Sequence, residues 1–136
     1  MTQEDKSILF KDLCARLPYG VILSVTLKDK YDDIVNRNIE LTEHNLSYIT
    51  KASNWQEYKP YLRPMSSMTE EEKNNLQSLH DIISDENYED GYSPSAWNAI
   101  TEWEDYCNAR HLDYRGLIPK GLALEASEGM YNIKEK

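Results

Sequence analysis

The stretch Trp55–Lys73, WQEYKPYLRPMSSMTEEEK, divides the chain into two regimes. Upstream, apolar residues alternate as in strands; downstream, they recur at helical spacing. Pro60 and Pro64 lack the N–H that a ladder or a helix interior needs. This predicts extended backbone over Lys59–Met65 and places a strand around Tyr58–Leu62 at a sheet edge. Thr69 followed by Glu70, Glu71 and Glu72 then reads as a helix start. The hydroxyl can accept from a first-turn N–H while Glu72 reaches back to the cap. All three carboxylates sit where the helix dipole favours negative charge.

Leu9, Leu13 and Leu17 fall at i, i+4 and i+8 and predict an opening helix over Thr2–Leu17, with Phe10 and Cys14 beside them. Asp5, Lys6, Lys11 and Asp12 are expected to face water. Pro18 and Gly20 should end that helix. Val21–Leu27, Ile34–Thr42 and Leu46–Thr50 read as strands joined by short polar turns. With Tyr58–Leu62 they predict a three- to four-stranded antiparallel meander. After the Thr69 cap, Leu76, Leu79, Ile82 and Ile83 mark one helix. Asp85–Tyr92 is expected as a loop, and Ser93-Pro94 starts a second helix. Its stripe of Trp97, Ile100, Trp103 and Cys107 is expected to cover the sheet. The end, broken by Gly116, Pro119, Gly121 and Gly129, should be an irregular tail, disordered over residues 128–136. The expected fold is one α+β domain, residues 1–136: an N-terminal helix, the meander, two C-terminal helices packed on it, and the tail.

Charge is the most uneven property of the chain. The net charge is −9. Residues up to Met68 hold nine acids and nine bases, whereas Thr69–Asp105 holds eleven acids against Lys73 alone. A negative field on one side of the molecule follows. Such a field repels phosphate, so direct nucleic-acid binding is not expected. No apolar run approaches the ~18 residues a membrane span needs. The opening residues lack the form of a secretory signal. Two cysteines, Cys14 and Cys107, make no disulfide framework. A cytoplasmic location is the expectation.

Motifs for chemistry are scarce. Consecutive glutamates on a helix point in different directions and cannot converge on a metal. The acids of Asp85–Asp90 lack the alternation of a calcium loop. His44, His80 and His111 share no ligand spacing with one another or with the cysteines. No phosphate loop, nucleophile elbow or cofactor motif is present. Only His111, Asp113 and Arg115 gather acid–base types, and a small hydrolase built on them is the enzymatic alternative. Ten tyrosines against one phenylalanine stand out. Around the dividing stretch, Trp55, Tyr58, Tyr61 and Arg63 combine the residue types that dominate interface hot spots.

Lys11–Val21 (KDLCARLPYGV), Lys59–Lys73 and Trp103–Tyr131 (WEDYCNARHLDYRGLIPKGLALEASEGMY) together resemble an uncharacterised small protein family. That family is encoded by phages, prophages and mobile elements of Bacteroidetes gut bacteria. The resemblance implies a bacterial setting and carries no activity, cofactor or site residue with it. The expected function is therefore a non-enzymatic accessory or protein-interaction protein of phage or mobile-element origin. Its candidate surfaces are the aromatic group (Trp55, Tyr58, Tyr61, Arg63) and an acidic helical face (Glu70, Glu71, Asp81, Glu102, Asp105). The partner would be a protein. One alternative is an acidic DNA mimic that inhibits a host DNA-binding or defence protein; another is a structural subunit or homo-oligomer.

Overall fold

The computed structural model describes residues 2–28, 30–49, 57–85, 87–88, 91–92 and 94–131. The fold is α+β. Helix α1 (Gln3–Arg16) opens on a capping box in which Thr2 accepts from the Asp5 N–H and Asp5 answers on Thr2. A 3₁₀ turn over Leu17–Tyr19 and a left-handed Gly20, at φ 69°, then reverse the chain. Strands β1 (Ile22–Lys28) and β2 (Ile34–Glu40) form an antiparallel hairpin, and β3 (Glu57–Leu62) pairs with the other side of β1. Helix α3 (Glu70–Asp85) and helix α4 (Pro94–Ala109) follow, and β6 (Leu124–Glu125) adds to β3 in parallel. The sheet order is β2-β1-β3-β6.

Four expectations need correction here. The strand expected over Leu46–Thr50 is replaced over Leu46–Ile49 by a short helix, α2 (Glu43–Ile49), and Thr50 lies outside the described residues. Thr42 turns the chain by accepting from the Asn45 N–H, while the Asn45 amide binds the Glu40 carbonyl. That local capping outcompetes the β-like run that follows. The four-stranded sheet is instead completed by β6, which makes it mixed rather than a meander. Asp85–Tyr92 is not wholly loop, since β4 (Asn87–Tyr88) and β5 (Gly91–Tyr92) form a minimal ladder. Pro60 needs no full edge strand. β1 flanks β3 over Glu57–Pro60 and β6 flanks it over Tyr61–Leu62, so the proline stands where only one side is paired.

The main core joins α1 (Leu9, Leu13), Val21 just before β1, the inner face of β1 (Leu23, Val25), Leu62, and Leu117 and Leu122 of the closing segment. A smaller cluster of Leu76, Cys107 and Leu112 lies between α3 and α4, with Trp103 and Tyr114 against it. The apolar stripe of α4 therefore meets α3, and α1 is the helix seated on the sheet. Trp97 is not part of that stripe and is 58% exposed. Steps of three residues lag the helix by about 60° each, so Trp97 falls well off the Ile100–Trp103–Cys107 line. Ser93 lies outside the described residues, as do residues 132–136 of the tail expected to be disordered over 128–136; residues 128–131 are described, with the Tyr131 ring stacked on His111.

Candidate functional site

The outer faces of α3 and α4 carry the acidic candidates. Glu70, Asp81, Glu102 and Asp105 are exposed and Glu71 is half-exposed. Glu70 lies 3.5 Å from Lys73, and Asp81 accepts from Gln77 at 2.9 Å. On α4 the exposed residues Trp97, Thr101, Glu102, Glu104 and Asp105 share one solvent-facing arc. Ile82 is exposed near the same end of the helical pair as Trp97.

The aromatic candidates are not brought together. Trp55 lies outside the described residues. Tyr58 and Tyr61 are three apart on one strand, so they point to opposite faces of the sheet. Tyr58 is half-buried against the main core, and that burial raises its phenol pKa. Tyr61 faces outward and donates to Asn38 at 3.1 Å, beside a polar ladder in which Asn36 bonds both Ser24 and Thr26. Arg63 turns inward. Its two terminal nitrogens grip Glu72 at 2.7 and 2.8 Å and also reach the carbonyls of Ser67 and Arg110. It is a structural clamp, not a free surface cation.

Glu72 is fully buried and closes the capping box of α3: Thr69 N–H donates to it and its own N–H binds the Thr69 hydroxyl. Burial alone would raise its pKa. The Arg63 hydrogen bonds, the Thr69 N–H and the charges of Arg63 and Arg110 outweigh that and hold it below its ordinary value. A second network was not legible as a site. Asp12, expected to face water, is fully buried and pairs with Arg16 at 2.8 Å and Arg115 at 3.2 Å. Arg16, equally buried, donates to the Leu112 carbonyl at 2.7 Å. The available signal was phase: Leu9, Asp12, Leu13 and Arg16 lie at i, i+3, i+4 and i+7 of α1, one face.

His111, Asp113 and Arg115 have three separate tasks. His111 ends α4 in the left-handed region, at φ 60°. Its N–H returns to Asn108 and that of Leu112 to Cys107, the paired bonds of a Schellman cap. The ring is buried and stacks on Tyr131 at 3.7 Å. Burial, with the charges of Arg16 and Arg63, lowers its pKa to about 4, so it caps the helix as a neutral ring. Asp113 accepts from the N–H groups of Leu117 and Ile118 at 2.8 and 2.9 Å and so shapes the following turn. Arg115 holds Asp12 and the Tyr114 hydroxyl. The trio does not converge on a shared space. Burial also pushes the Cys107 thiol up to about 12, while Cys14 is exposed.

Among the described residues, no three His, Cys, Asp or Glu side chains are grouped to hold a metal ion, and no helix is long and apolar enough to cross a membrane. No protein-family profile, curated protein or solved structure matches the chain.

Proposed function

We propose that this chain is a non-enzymatic interaction protein of phage or mobile-element origin that works in the bacterial cytoplasm and binds a basic protein surface through the outer face of α4. One observation carries the reading: a tryptophan 58% exposed shares that helix face with Glu102, Glu104 and Asp105. A large aromatic anchor followed along one helix face by charges of one sign matches the make-up of interface hot spots and of electrostatically steered association. The internal engagement of Arg63, Glu72, Asp113 and Arg115 supports it, because those groups hold the fold rather than face a substrate. The DNA-mimic reading ranks second. Glu70 and Asp81 are eleven residues apart on α3, about 16 Å along the helix, which is sparse beside the charge spacing of duplex DNA.

The test is affinity capture from bacterial lysate with wild type, Trp97→Ser, and Glu102→Lys/Asp105→Lys, each checked for folding by circular dichroism. The expected result is a partner captured by wild type, lost by both variants, and released by added salt. The same partner held by all three would overturn the α4 site.

A further inference from the structure

The described chain ends at Tyr131, whose hydroxyl accepts from the Ile22 N–H at 2.8 Å and donates to the Tyr61 carbonyl at 2.7 Å. These two backbone groups belong to neighbouring strands. The β1–β3 register runs from Thr26↔Glu57 to Leu23↔Pro60, so one further step sets Ile22 opposite Tyr61. On the other side of β1, the Leu41 N–H bonds the Val21 carbonyl, and strand alternation then turns the Ile22 N–H toward β3. Ile22 N–H and Tyr61 C=O are thus the two halves of the next ladder bond. A phenol hydroxyl stands between them.

The rest of that segment is lightly held. β6 pairs with β3 at two positions, and the Ala126 N–H bonds the Leu62 carbonyl at 2.8 Å. The Tyr131 ring lies on buried His111. Residues 125–129 and Tyr131 form one wall of a cleft of about 360 Å³, and Arg63, Pro64 and Ser67 form the other. If the tyrosine withdraws, its two backbone partners need not be orphaned, because they can bond each other. Two arrangements therefore satisfy the same donor and acceptor, which is the requirement for a discrete switch.

We propose that Leu124–Tyr131 is a releasable strap latched by the Tyr131 hydroxyl, whose release closes the β1–β3 ladder by one bond while opening the cleft beside Arg63. This inference is independent of the α4 surface. Amide hydrogen exchange on full-length Tyr131→Phe tests it. Loss of the hydroxyl removes two bonds and the Ile22–Tyr61 bond restores one, so Ala126 exchange should speed up about tenfold, the effect of one net hydrogen bond. Ile22 should stay protected, since its N–H passes to Tyr61. Equal loss at both amides, Ala126 unchanged, or both merely following a lowered urea midpoint would overturn the latch. In Tyr131→Ala, the titration of His111 followed by NMR should move up from about 4 toward its ordinary 6.5 as water reaches the ring. An unmoved titration would overturn the opening.

Discussion

His111 shows how much one residue can fix. It occupies the left-handed position that ends α4, where glycine or asparagine is usual, and its neighbours keep it neutral. Unfolded, the ring takes a proton near 6.5; folded, only near 4. Between those values the unfolded chain binds more protons, so stability is complete above 6.5 and is lost as pH falls toward 4. The loss should be on the order of 3 kcal/mol. His111→Asn keeps the backbone preference and removes the titration, so its urea midpoint should fall much less between pH 7 and pH 4 than that of wild type. This role was hidden in the sequence, because Arg110-His111-Leu112 carries no glycine to announce the cap and the stacking ring comes from twenty residues later.

At the scale of elements, starts were more legible than pairings. Thr69 and Glu72 announce α3 because both halves of a capping box lie within four residues, and the structure holds both bonds. Thr69→Ala should lower stability by about 1 to 2 kcal/mol in urea unfolding, since it removes the cap and loosens a buried carboxylate, whereas Thr69→Ser should keep most of it. Strand β1 is equally readable, with Leu23 and Val25, and Val21 just before them, buried on one side. Leu46–Ile49 has β-like composition, yet the polar Thr42–Asn45 cap just before it decides for helix. β6 could not be read at all: two residues carry no period, and their pairing depends on a strand some sixty positions earlier. Of the candidate residues, Glu70, Asp81, Glu102 and Asp105 are exposed, as their charge implies. The aromatic group failed where strand alternation separates Tyr58 from Tyr61.

Across the whole molecule, α1 is tied to the closing segment by buried charge. Asp12→Ala would leave Arg16 buried with its carboxylate gone and should cost about 3–5 kcal/mol. Asp12→Leu/Arg16→Met, which removes both charges, should recover a large part of that loss. A double-mutant cycle in urea measures the coupling, and additive single effects would show that the pair is not linked. The same connections set an order on how the protein can be made. Asp12 waits for Arg115, Arg16 for the Leu112 carbonyl, and the Ile22 N–H for Tyr131, partners separated by 103, 96 and 109 residues. On a ribosome, α1 can wind as soon as it emerges, yet its buried face keeps two solvated charges until the last fifth of these residues has followed. Native packing of α1 therefore waits for residues 112–131 to emerge, and the nascent segment before them stays open until they do.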